Sequence, residues 1–173
     1  MAVTELKEVL VHELGDLLYA ERRILTMLKT MAKEVSDPLV KGRIEEHHGE
    51  TEGQIGRLEQ AFAAIGEEAK GQKCDGIIGL KEEHDSFKSE EKPARPMLEA
   101  FDLGSGLRVE HYEIAGYRTA IAMAIALGED RCAGLLQENL LEEEAMAKFL
   151  EKNAVRSLRK LAMQNGASNG KGK

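Results

Sequence analysis

Apolar residues recur at steps of three and four along four long stretches of the chain. The first, from about Thr4 to Glu34, carries Leu10, Leu14, Leu17, Ile24, Leu28 and Met31, the spacing of a helix seam facing a core. The second follows Ser36-Asp37-Pro38, where Asp37 is suited to cap a helix and Pro38 to begin one. Its seam holds Ile44, His48, Thr51, Ile55, Leu58, Phe62 and Ile65, with His47 and Glu50 on an adjoining stripe, and Gly66 is placed to stop it. A third stretch runs from about Pro96 to Leu127 through Leu103, Leu107, Ile114, Tyr117, Ile121 and Ala124, ended by Gly128. Glu129 and Asp130 restart the chain into a fourth, which passes through Leu136, Leu140, Ala147 and Leu150 to about Met163. Residues 71–96 interrupt the regularity with one short helix predicted from near Asp75 and then a polar, proline-containing link.

Short connections on either side of this link make each pair of long helices an antiparallel hairpin. The predicted fold is therefore all-α: a ferritin-like four-helix bundle, two antiparallel hairpins joined by a long crossover that contains a short extra helix. Residues 1–163 form this one domain, and residues 164–173, QNGASNGKGK, read as a disordered tail. A length of 173 residues suits one domain, and 42% hydrophobic residues suffice for a core. Against 24 Lys and Arg stand 31 Asp and Glu, a net charge of −7. That acidity repels phosphate backbones and anionic lipid, which argues against nucleic-acid and membrane partners. The start of the chain lacks the pattern of a secretory signal. Cys74 and Cys132 have no CxxC spacing, so reduced thiols and a cytoplasmic location are expected.

The chemistry lies in residues that break the apolar pattern. Glu21 falls on the first seam between Leu17 and Ile24, Glu110 between Leu107 and Ile114, and Glu143 between Leu140 and Ala147. Glu113 stands one turn after Glu110, so both acids project to one side of their helix. Glu21 and Glu50 are nearly equidistant from the turn at Val35, as Glu113 and Glu143 are from Glu129, so each hairpin brings its carboxylates to one level. Several anionic carboxylates in an apolar interior are costly unless protonated or paired, and no Lys or Arg sits on these seams. Two divalent cations would neutralise them, and carboxylate with imidazole is a ligand set for iron or manganese.

On the second helix two registers compete. Glu45 and His48 form an ExxH, and His47 and Glu50 an HxxE one turn nearer the level of Glu21; the latter is preferred. The expected metal ligands are thus Glu21, His47, Glu50, Glu110, Glu113 and Glu143. Gln54 is placed to orient a carboxylate. Tyr19 and Tyr117 suit either that task or the core. His12, His84 and His111 read as solvated surface.

The strings LLYAERRIL, HHGETEGQIGRLEQAF, KCDGIIGL, RVEHYEIAGYRTAIAMA and LLEEEAMAKFL resemble the bacterial YciE/YciF family, a ferritin-like group long catalogued as a domain of unknown function. The likeness spans nearly the whole chain except the tail. It implies a four-helix bundle with a dimetal centre, a link to stress responses and an oligomer built on dimers. Its YAE glutamate falls on Glu21, its HxxET pair on His47 and Glu50, its EHYE acids on Glu110 and Glu113, and its fourth-helix acid on Glu143. Rubrerythrins show a comparable ExxE on their third helix. Two departures stand out: no His follows Glu143 by one turn, where Met146 and Ala147 lie, and a CxxC electron-relay domain is absent.

Two functions from different classes follow. One is a stress-response oxidoreductase with two metal ions per chain, iron in preference to manganese, consuming O2 or peroxide in the manner of a ferroxidase. The other is a non-catalytic stress protein whose metals staple the bundle. Leu18, Leu25, Val11 and Leu141 form a second apolar face, from which a homodimer is expected.

Overall fold

The computed structural model describes residues 3–169, with side chains through Met163. Among these residues all regular structure is helical: α1 (Leu6–Glu34), α2 (Pro38–Ala64), α3 (Asp75–Glu90), α4 (Arg95–Ala126) and α5 (Asp130–Asn169). The ends are set by local chemistry. At the start of α1 the Glu8 carboxylate accepts from the backbone N–H groups of Thr4 and Glu5, at 2.7 and 3.0 Å. Asp37 caps α2 by accepting from Leu39 N–H at 2.9 Å, ahead of Pro38. Gly66 and Gly128, at φ 76° and 75°, take the left-handed turns that end α2 and α4.

Packing closes the four long helices into a ring. α1 lies against α2 and α4, α5 lies against α4 and α2, and α3 packs on α4. Connections of three residues, 35–37 and 127–129, join α1 to α2 and α4 to α5, and the helices of each pair pack on each other. Residues 65–74 lead from α2 along α1, where Gln72 N–H donates to Gly15 O at 2.8 Å. The buried Cys74 thiol then accepts from Ile77 N–H and opens α3. Tyr112 of α4 reaches the same place, its hydroxyl 3.0 Å from Cys74 Sγ and donating to Asp16 Oδ2 at 2.8 Å.

The core consists of two apolar halves. One gathers Leu10, Leu14, Leu58, Phe62, Ala120 and Leu136 near the α4–α5 turn. The other gathers Ile24, Leu28, Ile44, Ile77, Leu103 and Leu150 near the α1–α2 turn. A polar layer lies between them.

Several expectations change. The α2 seam runs Val40, Ile44, His47, Thr51, Gln54, Leu58 and Phe62, so His47 and Gln54 occupy it fully buried, while His48 and Ile55 are half-buried at its edge. The apolar phase read through Ile55 is therefore one residue out of step with the buried face, which runs through the polar Gln54. Leu18 is wholly buried within the chain and adds nothing to an outer face; of the proposed second face only Leu141 is exposed. α5 passes Met163 and continues to Asn169, because an established helix tolerates Gly166 at a cost of only about 1 kcal/mol. Residues 170–173 of the expected tail lie outside the described residues.

Glycines of α1 and α5 respond oppositely to the same change. A Cβ on Gly15 would stand 2.9 Å from the backbone oxygen of Lys70, whereas one on Gly134 would meet nothing. Gly15→Ala is expected to destabilise the fold by roughly 1–3 kcal/mol, and Gly134→Ala to stabilise it by up to about 1 kcal/mol. Urea titrations of both variants measure the sign directly.

Candidate metal centre

One stripe of α2 carries Arg43, His47, Glu50, Gln54 and Arg57, at alternating steps of four and three that stack side chains along one face. It meets Glu21 of α1, Glu110, Glu113 and Tyr117 of α4, and Asn139 and Glu143 of α5. Glu21, His47, Glu110, Glu113, Tyr117, Asn139 and Glu143 are all buried. They make up the polar layer that divides the core.

His47 sits at its centre. Its Nε2 lies 3.6 Å from Glu110 Oε2 and 3.7 Å from Glu143 Oε2. One ligand atom from each of these three residues falls within 4.8 Å of the others, a spacing that can hold a metal ion. On the far side of the ring, Nδ1 lies 2.9 Å from Glu50 Oε2, which also accepts from Arg43 Nη1 at 2.8 Å. A carboxylate can only accept, so Nδ1 carries a proton, and Nε2 is the ring atom turned to Glu110 and Glu143. Glu50 is thereby turned away from the cluster, half-exposed. Its carboxyl is held below its ordinary value: the His47 and Arg43 hydrogen bonds outweigh its partial burial.

Two of the remaining carboxylates are each held by one hydrogen bond. Tyr117 Oη donates to Glu21 Oε1, and Gln54 Nε2 donates to Glu143 Oε1. Asn139 Nδ2 donates to Tyr117 Oη at 2.9 Å, which fixes the phenol as donor toward Glu21. Arg57 closes the layer at its edge, donating to Asn139 Oδ1 and to Glu142. What is left over converges. Among the described residues, the buried side-chain polar atoms without a partner are Glu21 Oε2, His47 Nε2, Gln54 Oε1, Glu110 Oε2, both Glu113 oxygens and Glu143 Oε2, with Ser105 Oγ lying apart in the cavity toward the α1–α2 turn. Unpartnered acceptors in such number are unusual in a folded interior.

Electrostatics point the same way. Burial pushes the carboxyls of Glu21, Glu110 and Glu113 well above their ordinary value, and the charge of Glu143 pushes each of them further. Among the described residues Arg57 and Arg43 are the cations that oppose this, lowering Glu21 and Glu110 respectively. Both are engaged elsewhere, with Glu142 and Glu50. Four converging carboxylates, an oriented imidazole and no committed counter-charge form a donor set suited to divalent cations.

All six residues expected as ligands therefore lie in or beside one layer, five with free donor atoms and Glu50 behind His47. The isolated seam acids made this legible. Asn139 and Arg57 went unnoticed, although Asn139 also interrupts an apolar seam, one turn before Glu143. Arg43 and Arg57 sit one helical step from His47 and Gln54, so the layer does have basic residues at its edges. Tyr19 is half-buried under the Arg23 guanidinium, 5.5 Å from its ring centre, away from the layer's hydrogen bonds. His84 is not solvated surface: it is half-buried and bonded to Asp102 at 2.8 Å. Cys74 and Cys132 are both free and buried.

Fold and site together define an all-helical protein with a buried carboxylate–imidazole cluster at mid-bundle. Residues 5–163 match the family described as a domain of unknown function, DUF892, and the chain belongs to that family. The Escherichia coli K12 protein YciF is 32% identical over 164 residues, covering 94% of this chain and 98% of that relative. The crystal structure of YciF, described as a stress protein, superposes with a TM-score of 0.83 at 30% identity, covering 91% of this chain and 99% of that one. YcfI from Rhodopseudomonas palustris gives a TM-score of 0.82 at 35% identity, over 86% and 94% of the two chains.

The raised carboxyls fix a sign for the metal-free protein. Their folded pKa exceeds the unfolded value near 4.5, so the folded state binds more protons. Stability is then full below that value and is lost as pH rises through the folded pKa values. Metal-free protein is expected to melt at a higher temperature at about pH 5 than at about pH 8. Calorimetry after chelation, compared with Glu113→Gln, which should flatten the dependence, measures it.

Proposed function

We propose that the protein is a ferritin-like four-helix-bundle protein of stress response that holds two divalent metal ions, iron in preference to manganese, in the layer around His47. The convergence of unpartnered buried donor atoms carries this reading. Glu21, Glu110, Glu113 and Glu143 bring four negative charges, which two divalent ions balance. His47, Glu110 and Glu143 are placed to hold one ion, and Glu113 with Glu21 the other. The ring of His47 is set for this by Glu50, in the carboxylate–imidazole arrangement that orients metal-bound histidines.

When bound, a pair of ferrous ions would supply two electrons to O2 or peroxide, the chemistry of a ferroxidase. The chain's own residues prepare the site for it. Tyr117 and Gln54 each hold one carboxylate oxygen and leave the other free. The apolar halves of the core keep bulk water from the layer. Asn139 keeps the Tyr117 hydroxyl donating to Glu21, so this carboxylate stays in place as the charge beside it changes.

A structural role for the metals is the second reading. Met146 stands buried where many dimetal bundles place an imidazole, so nitrogen donors are few. YcfI, described provisionally as a structural protein, accords with it. Metal binding is common to both readings, and turnover separates them.

Elemental analysis of protein purified without added metal is expected to find iron near two per chain. Anaerobic Fe(II) loading followed by air should then give ferric absorbance; bound metal that shows no oxidation would favour the structural role. Glu143→Ala should lose at least one ion, weaken the loaded protein and leave the metal-free one unharmed or stronger. Glu129→Ala, at the start of α5, should cost at most about 1 kcal/mol and keep metal content. Two ions retained in Glu143→Ala, with wild-type melting, would refute the assignment on α5.

A further inference from the structure

The apolar half of the core near the α1–α2 turn is not filled. A cavity of about 600 Å³ opens there between α1, α2, α3, α4 and the later turns of α5. Its volume is that of a small-molecule site, far larger than a packing defect. Met27, Leu28, Leu103, Val109 and Leu150 give it an apolar wall. One feature points to an occupant with a polar end. Ser105 lines it, and Ser105 Oγ is buried without a hydrogen-bond partner among the described residues. Glu110 also stands in its wall, its Oε2 equally unpartnered.

Charge narrows the class of occupant. The cavity border carries charges of both signs that are paired with each other, Lys81 with Asp85, Lys88 with Glu34 and Arg95 with Glu99. Inside, Asp102 is bonded to His84 and Glu110 is a second acid, so an anion finds no uncommitted cation there. A neutral molecule needs no such partner. A hydroxyl can accept from and donate to Ser105 Oγ, satisfying it in full.

We propose that this cavity is a binding site for a neutral apolar alcohol, its hydrocarbon body against the α1, α2 and α4 wall and its hydroxyl on Ser105. The site is independent of the metal reading, since it needs no ion to form. It does abut the metal layer, because Glu110 belongs to both.

The test uses the full chain as purified and the neutral fluorophore N-phenyl-1-naphthylamine. Saturable enhancement at one probe per chain is expected. Leu103→Trp and Met27→Trp, which fill the space from α4 and from α1, should each weaken binding on the order of tenfold. Ile125→Trp, exposed at the other end of α4, should leave it unchanged. Competition then reads the polar end: 1-decanol should displace the probe at a concentration on the order of tenfold below decanoate. Ser105→Ala should weaken 1-decanol and leave the probe's own affinity unaltered. Absence of a saturable signal, the outcome if a second copy or the chain's own C-terminal residues occupy the space, overturns the proposal. So does wild-type binding in both filling variants, provided each melts cooperatively, or decanoate competing as well as decanol. Failure of the metal reading would appear in elemental analysis and leave this titration intact.

Discussion

Like charges forced together in a dry interior are the constraint on which this structure turns. Glu21, Glu110, Glu113 and Glu143 meet from three helices at mid-bundle, and leucine at any of those positions would have joined the two halves of the core into one. Large-scale burial of apolar surface must therefore hold the helices in place against a repulsive layer. The layer's neighbours limit the damage by giving Glu21 and Glu143 one hydrogen bond each, from Tyr117 and Gln54, and by neutralising the surroundings through the Arg57–Glu142 and Arg43–Glu50 pairs. Those basic residues do not enter the cluster itself. The net negative charge is left for something else to balance.

The same arrangement explains how much of the molecule could be read from its residues. Long helices with seams of Leu and Ile announce themselves, because a period of 3.6 is visible over many turns. Capping at Asp37 and the stops at Gly66 and Gly128 were equally legible, since each acts through its own immediate backbone. Seam acids were conspicuous for being where leucines belong. The α2 phase was harder. Its seam passes through Thr51, His47 and Gln54, and with so few apolar residues near the layer the pattern fades where the chemistry begins. Polar supporters such as Asn139 and Arg57 are recognised only when the helices that bear their partners are brought beside them. The pairing of His84 with Asp102 lies between α3 and α4, and no local spacing encodes it.

α3 and its approach do more than lengthen a connection. Gln72 bonded to Gly15, and Cys74 bonded to Tyr112, fasten the segment to α1 and α4 at the flank of the layer. At its other end Phe87 stacks on Phe101 at 3.8 Å. Anchored at both ends, α3 spans the side of the bundle where α1 and α4 would otherwise be open, and its inner face helps enclose the cavity beside Glu110.

Asp37 has a second office beyond beginning α2. While Oδ1 accepts from the first turn of that helix, Oδ2 accepts from Arg156 of α5 at 2.9 Å. A single carboxylate thus fastens the start of one helix to a fixed station along another, more than a hundred residues away in the chain. Sliding α5 along its axis by one turn, about 5.4 Å, would break that link. Asp37 thus ties the start of α2 to one turn of α5, the helix that carries Glu143 opposite His47.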